Sequence, residues 1–107
     1  MKKAFVLVVA LASIYSCKKS STSAAIPCDP AISYSKTVKP ILVTNCTQSN
    51  CHDGNNLTSL ANYDIAHDGA AQIKSDVISG RMPRGGSLTS TDKSAIICWI
   101  DNGARNN

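Results

Sequence analysis

Apolar residues recur at helical spacing in three segments of the chain, and none of its runs alternates as a β-strand would. The first segment covers about residues 35–45, and its apolar face consists of Val38, Ile41 and Leu42. Pro40 is compatible with a helix that begins near Thr37, because the N–H groups of a first helical turn have no partner within the helix. This segment leads directly into Cys46.

The second segment covers about residues 62–79, and its apolar stripe is formed by Ala66, Ala70, Ile73 and Val77. Gly69 is a candidate break that would divide this segment into two shorter helices. Gly80 is suited to the C-terminal cap, where the backbone is often left-handed.

The third segment gives the clearest helical signal. It begins at Thr89, a preferred capping residue, and carries Asp92 in the first turn, where the helix dipole favours an acid. Its apolar face is formed by Ile96, Ile97 and Ile100, with Trp99 at the margin. Gly103 ends it. The three segments together predict an all-α domain.

Residues 28–107 make up that domain, and they are electrically neutral. Seven Lys and Arg residues there balance seven Asp residues, so the net charge of +4 on the whole chain comes from its N-terminal part. Without a basic stripe, the domain is a poor candidate for nucleic-acid binding. Its aromatic residues are Tyr34, Tyr63 and Trp99, which are few for the core of a domain this small. A buried apolar cofactor would supply the missing surface.

Residues 46–52, Cys-Thr-Gln-Ser-Asn-Cys-His, carry the strongest chemical signal. Two cysteines followed directly by a histidine are typical of covalent haem attachment, in which the thiols add to the haem vinyl groups and the imidazole ligates the iron. The usual spacing is C-x-x-C-H, whereas four residues separate Cys46 from Cys51 here. Because Cys51 and His52 remain adjacent, the wider gap is expected to bulge outward as a longer loop.

Met82 lies in a glycine-rich loop between the second and third segments. A thioether on such a loop suits the sixth position of a haem iron, and its place in the chain order favours that role over the packing role that methionine often has. His67 is the rival distal ligand, although its acidic neighbours favour an exposed histidine. Arg81 and Arg84 flank Met82 and are candidates to pair with haem propionates. Trp99 is a core residue that is also expected to pack near the haem edge.

The N-terminal residues predict export and lipid anchoring. A basic start precedes an apolar run over residues 4–12, which is too short for a permanent membrane span and is typical of a secretory signal. Residues 14–17, Ile-Tyr-Ser-Cys, resemble the lipobox of bacterial lipoproteins. We therefore expect a signal peptide at residues 1–16, a lipidated Cys17 and a flexible tether over residues 17–27. In the alternative, an ordinary signal peptide is cut nearby and Cys17 is lost or remains a free thiol.

Four cysteines remain in the domain after Cys17 is assigned to lipid, namely Cys28, Cys46, Cys51 and Cys98. In an exported chain they can form two disulfides, with three possible connectivities. If Cys46 and Cys51 carry thioethers instead, Cys28 and Cys98 are left as a pair. Both interpretations use every cysteine, so the number of cysteines does not decide between the two interpretations.

The chain resembles the small class I cytochromes c, specifically the single-haem lipoproteins of some Gram-negative bacteria. The resemblance is carried by residues 38–42 (Val-Lys-Pro-Ile-Leu), the Cys46, Cys51 and His52 motif, residues 81–83 (Arg-Met-Pro) and residues 99–104 (Trp-Ile-Asp-Asn-Gly-Ala). It implies a few helices wrapped around one covalent haem c, held by thioethers at Cys46 and Cys51 and by axial ligation from His52 and Met82. Since the terminal helices cross in that family, a Cys28–Cys98 disulfide is expected as well.

The resemblance also implies a membrane-tethered carrier of single electrons rather than an enzyme. Filling both axial positions leaves the iron poorly arranged to bind a substrate, and histidine–methionine ligation raises its potential. Expected partners are redox proteins of a respiratory chain or a periplasmic oxidoreductase. The expected location is a membrane, through the N-terminal lipid, facing the periplasm or the cell surface.

Two other interpretations use the same cysteines. In one, the chain is a lipoprotein without haem that is stapled by disulfides, including Cys46–Cys51, and acts as an interaction module. In the other, Cys46, Cys51, His52 and a further cysteine bind zinc. Adjacent Cys and His make a poor tetrahedral pair, and zinc thiolates are disfavoured in an oxidising compartment.

Overall fold

Four α-helices and one π-helical segment form the regular structure of residues 27–55 and 57–107, which the computed structural model describes. The π-helical segment is Tyr34–Val38, and the α-helices are α1 (Lys39–Cys46), α2 (Tyr63–Asp68), α3 (Ala70–Ser79) and α4 (Ser90–Asp101). The helical class predicted from the sequence is therefore confirmed for these residues. The predicted signal peptide, Cys17 and all of the tether except residue 27 lie outside them. No helix of the described residues has the length and apolar character needed to cross a bilayer.

The first predicted helix is divided into a π-helical turn and α1. The N–H group of Val38 donates to the carbonyl of Ser33 (N···O 3.2 Å), and that of Lys39 donates to Tyr34, so both bonds span five residues. Pro40 explains why a uniform α-helix does not run through this segment, because its ring crowds the carbonyl four residues earlier and it has no N–H to donate. The wider turn absorbs the proline at the start of α1.

The second predicted helix is divided at Gly69, as its sequence indicated. Gly69 donates its N–H to the carbonyl of Ile65 (3.0 Å) and ends α2, and α3 begins at the next residue. At the far end of α3, Gly80 adopts φ +73°, a left-handed conformation that a side chain would disfavour. Thr89 caps α4 as predicted, since its Oγ1 accepts from the N–H of Asp92 (3.1 Å).

The three aromatic residues of the domain form one cluster in its core. The ring centroid of Tyr34 lies 5.1 Å from that of Tyr63 and 5.3 Å from that of Trp99. Trp99 is 1% exposed, and its Nε1 donates to the carbonyl of Arg105 (2.8 Å). The hydroxyl of Tyr63 donates to the carbonyl of Ala104 (2.9 Å). Each polar tip therefore finds a main-chain partner, as buried aromatic residues require, and the cluster joins the π-helical segment, α2 and α4.

The two ends of the described domain are fastened to each other. Cys28 and Cys98 are joined by a disulfide, with Cα atoms 5.1 Å apart and a sequence separation of 70. Asn107 adds polar contacts, because its main-chain carbonyl accepts from the N–H of Ser35 (2.9 Å) and its side-chain Oδ1 accepts from the N–H of Tyr34 (2.9 Å). This clasp fixes the π-helical segment against α4, and α1 continues directly from that segment toward Cys46.

Candidate cofactor site

A cavity of about 760 Å³ lies on one side of the helical core. Its walls come from the end of α1, the loop that follows α1, helices α2 and α3, and the loop between α3 and α4. Cavities that enclose small molecules and cofactors usually measure about 300–1,000 Å³, so this one is large enough for such a group.

Most of the lining surface of the cavity is apolar, and its aliphatic side chains are Leu42, Leu57, Leu60, Ile65, Ile73, Val77 and Leu88. Leu57 is 48% exposed, and Leu60, Ile65, Ile73 and Leu88 are only partly buried. An apolar surface that remains accessible within a concave site favours an apolar ligand, because covering it removes that surface from water. The lining thus fits a largely hydrophobic group.

All four residues that the sequence predicts as haem attachment sites and ligands line this one cavity. Cys46 is the last residue of α1, Cys51 and His52 follow in the next loop, and Met82 lies on the loop after α3. Met82 lies 30 positions after His52 in sequence, so it is the folding of α2 and α3 that brings them to one site. This juxtaposition is the central geometric observation of the site.

The wide gap between the two cysteines folds back onto the end of α1. The N–H of Cys51 donates to the carbonyl of Gln48 (2.9 Å), and the N–H of His52 donates to the carbonyl of Cys46 (3.0 Å). Asn50 takes the left-handed conformation at φ +65°, which asparagine tolerates better than most residues. The extra residues are therefore taken up in a closed turn, and both thiols and the imidazole remain at the cavity.

Cys46 and Cys51 are both free thiols. Burial raises the pKa of the Cys46 thiol above its ordinary value, and the neighbouring Cys51 raises it further. The neutral thiol is therefore the dominant form of Cys46 near pH 7. With Cys28 and Cys98 joined to each other, the described cysteines divide into one structural pair and one pair of thiols at the cavity.

The imidazole of His52 is oriented by a main-chain carbonyl. Its Nδ1 lies 3.3 Å from the oxygen of Thr58. A carbonyl oxygen only accepts hydrogen bonds, so this contact assigns the proton to Nδ1 and leaves the lone pair on Nε2. A second partner on the other ring nitrogen is the usual arrangement for a metal-binding histidine.

The loop that carries Met82 is held by Asp76 of α3. The main-chain carbonyl of Asp76 accepts from the N–H of Met82 (3.2 Å). Its carboxylate pairs with the Arg81 guanidinium and also accepts from Nε2 of Gln72 (2.9 Å). The Arg81 guanidinium is thus already paired with the Asp76 carboxylate. Among the described residues that line the cavity, Arg84 is the one cation.

His67 and Trp99, which the sequence placed as secondary candidates, do not line the cavity. His67 is exposed, and its Nδ1 lies 3.3 Å from the Asp68 carboxylate, as expected of a solvated histidine with acidic neighbours. Trp99 lies in the aromatic core, the first of the two roles considered for it, and it is not among the residues that line the cavity. Its helix turns the indole toward Tyr34, on the side where the aromatic cluster fills the core.

Sequence reasoning missed three residues of the cavity lining that support the predicted ligands, namely Thr58, Gln72 and Asp76. Thr58 acts through its main-chain carbonyl, which no side-chain pattern reveals. Gln72 and Asp76 lie four residues apart on α3, a spacing that predicts a side-chain hydrogen bond, but their contact with the Met82 loop depends on the tertiary fold. Within residues 27–55 and 57–107, no three His, Cys, Asp or Glu side chains come together as a metal-binding group requires.

No protein family profile, curated protein or solved structure matches this chain. The geometry of the cavity and the chemistry of its lining are therefore the grounds on which a function is proposed.

Proposed function

We propose that this protein is a membrane-tethered, single-haem c-type cytochrome that carries single electrons. One observation carries the proposal: Cys46, Cys51, His52 and Met82 line the same apolar cavity, although they come from separate parts of the chain. Two thiols, an oriented imidazole and a thioether are the side chains that covalent attachment and axial ligation of haem need. The volume and the aliphatic lining of the cavity fit the same group.

Each proposed role follows from a particular side chain. The sulfurs of Cys46 and Cys51 form carbon–sulfur bonds with the two vinyl groups, and each thiol hydrogen ends on a vinyl carbon, so no oxidant is needed. His52 offers Nε2 as the proximal ligand, because its Nδ1–H is directed to Thr58. Met82 offers its sulfur from the loop that follows α3. Bound haem supplies a one-electron couple, whose potential rises with histidine–methionine ligation.

The rest of the cavity has two tasks in this proposal. The aliphatic wall excludes water from the metal and covers the porphyrin faces. Arg84, the cation on the cavity lining, pairs with a propionate, whereas Arg81 is already paired with Asp76. Since the protein would fill both axial positions, no position is left for a substrate. Electron transfer is favoured over catalysis for that reason.

Location and partners follow from the N-terminal sequence and from the neutral domain. We propose that Cys17 carries lipid and that residues 17–27 tether the domain to a membrane, facing the periplasm or the cell surface. Its partners would be redox proteins of a respiratory chain or a periplasmic oxidoreductase. The balance of seven basic and seven acidic residues in residues 28–107 argues against nucleic acid.

Covalent haem is tested by expressing the full chain together with a cytochrome c maturation system. Haem should remain with the protein through acid–acetone extraction and give a c-type pyridine haemochrome. Cys46→Ala and Cys51→Ala should each leave one thioether and shift the haemochrome band to longer wavelength, whereas the double variant should release haem on extraction. A colourless wild-type protein would contradict the proposal and favour the disulfide-stapled interaction module.

A further inference from the structure

Asp76 joins α3 to the Met82 loop through two different groups. Its carbonyl oxygen accepts from the main-chain N–H of Met82 (3.2 Å), and its carboxylate pairs with the side chain of Arg81. The loop itself begins after the left-handed Gly80 and contains Gly85 and Gly86, so its backbone has unusual freedom. Both contacts restrict that freedom at the start of the loop, at Arg81 and at Met82, and Met82 is the first loop residue that lines the cavity.

The carboxylate of Asp76 is itself held from within α3. Gln72, one helical turn earlier, donates its Nε2–H to Oδ1 of Asp76 (2.9 Å). The Asp76 side chain is 16% exposed, whereas that of Arg81 is 58% exposed. Gln72 thus holds the mostly buried carboxylate of Asp76, and that carboxylate in turn holds the side chain of Arg81 on the loop. An ion pair with one exposed partner contributes little to global stability, so its effect is expected to be local.

We propose that Asp76, together with Arg81, is a positioning residue that keeps the sulfur of Met82 ready to ligate the iron. This inference rests on the proposed function. A loop that is ordered before ligation loses less conformational entropy when the sulfur binds, and pre-organisation of this kind strengthens binding without any new contact to the ligand. Asp76 lines the cavity itself, but in this role it is not a ligand of the iron. It acts through Arg81 and through the main chain of Met82.

Four variants of the haem-loaded protein separate this role from a general effect on stability. Asp76→Asn keeps the size of the side chain and an acceptor for Gln72 but removes the charge that pairs with Arg81. Arg81→Gln removes the same ion pair from the other side. Asp101→Asn is the matched control, because it removes another ion pair of α3, between Lys74 and Asp101, and neither of these residues lines the cavity. Asp76→Glu retains the charge and tests for rescue.

Two measurements report on Met82 and a third reports on the loop itself. The weak long-wavelength band of the oxidised protein reports methionine–iron ligation, and carbon monoxide binding to the reduced protein reports loss of the sulfur. Because an ion pair with one exposed partner is weak, removing the pair should raise the carbon monoxide-accessible fraction by about two- to fivefold. Amide hydrogen exchange at Met82 should accelerate in the same two variants, and this measurement does not depend on activity.

We expect Asp76→Asn and Arg81→Gln to weaken the methionine band while the covalent haem is retained, with Asp101→Asn unchanged and Asp76→Glu close to wild type. An unchanged band in Asp76→Asn on a haem-loaded protein would overturn the positioning role and leave the proposed function standing. Equal losses in Asp76→Asn and Asp101→Asn would overturn it too, since they would indicate a general loss of stability. A wild-type protein without covalent haem would overturn the proposed function and this inference together.

Discussion

His52 and Met82 are held at the cavity in different ways. The His52 ring is fixed through its own Nδ1, which lies 3.3 Å from the Thr58 oxygen, and the residue follows a cysteine in the same turn. Met82 has a main-chain hydrogen bond to Asp76 and a flexible, unbranched side chain. In the proposed cytochrome, His52 is therefore the more permanent ligand, and Met82 is the ligand that small molecules can replace.

Met82→Ala should remove the methionine–iron band and open the reduced iron to carbon monoxide. The potential should fall, because the thioether ligand that favours the reduced iron is gone. The domain should remain folded, with a loss of about 1–2 kcal/mol at most in the free energy of unfolding, since Met82 is only partly buried.

His67→Ala is the control for that experiment. His67 is exposed and does not line the cavity, so its removal should leave the visible spectrum unchanged. If His67→Ala changed the spectrum while Met82→Ala did not, His67 would be the distal ligand and the assignment of Met82 would be wrong.

A second prediction at the residue scale concerns the effect of the Arg84 charge on the reduction potential. Removing its positive charge in Arg84→Gln should favour the oxidised iron and lower the potential by about 10–40 mV, which corresponds to an exposed ion pair of about 0.2–1 kcal/mol. Arg84→Lys should retain most of the wild-type potential. Potentiometric titration at low and high salt measures the shift, which should shrink as salt screens the charge.

Arg105→Gln is the matched control for Arg84→Gln, because Arg105 is an exposed arginine that does not line the cavity. Equal shifts in the two variants would indicate a general charge effect and would contradict a direct pairing of Arg84 with a propionate.

At the scale of helices, local sequence rules account for most of the observed boundaries. Thr89 caps α4, Gly80 ends α3 and Gly69 divides α2 from α3, and each of these followed from the chemistry of that one residue. The π-helical turn at Tyr34–Val38 did not follow, although Pro40 signalled some disturbance of the helix. The shift to five-residue hydrogen bonds depends on how the segment packs its buried residues, which a helical period alone does not specify.

The candidate site divides in the same way. The ligand types at Cys46, Cys51, His52 and Met82 could be predicted because each carries distinctive chemistry. The supporting contacts from Thr58 and Asp76 could not be predicted, because one uses a main-chain oxygen and the other joins two elements through the tertiary fold. Trp99 illustrates the same limit, since its face of α4 is set by packing against Tyr34 rather than by its place in the sequence.

The cap of α4 provides a test at this scale. Thr89→Ala removes the hydroxyl that accepts from the N–H of Asp92, and it should lower the free energy of unfolding by about 1 kcal/mol. Thr91→Ala, at an exposed position in the first turn of the same helix, should change it by less than about 0.5 kcal/mol. Urea unfolding of both variants measures the difference. Similar losses in the two would mean that the hydroxyl of Thr89 has no special role.

Across the whole domain, one side is closed by the aromatic core and the clasp of the two ends, and the other side contains the cavity. The core residues Tyr34, Val38 and Trp99 are nearly inaccessible, whereas most aliphatic residues of the cavity wall, such as Leu57 and Ile73, remain partly exposed. The three aromatic residues of the domain all lie in the core on the first side, and none of them lines the cavity. In the proposed cytochrome, haem completes the packing of the other side, so removing it should destabilise the cavity loops more than the clasped ends.

The last prediction concerns the contribution of the Cys28–Cys98 disulfide to the stability of the domain. It joins residues separated by 70 positions, and closing a loop of that length contributes about 4 kcal/mol in the chain-entropy description, with less when the native state is strained. Cys28→Ser with Cys98→Ser should therefore lower the free energy of unfolding by up to about 4 kcal/mol, while the haem spectrum stays unchanged because neither residue lines the cavity. Asn107 still holds Tyr34 and Ser35 in that variant, so the domain should unfold more readily but retain its fold at 25 °C.

Peptide mapping of the wild-type protein without reductant should recover Cys28 and Cys98 in one linked fragment. Two free thiols at these positions would contradict the clasp. A linkage of either residue to Cys46 or Cys51 would also contradict the assignment of Cys46 and Cys51 to the cofactor.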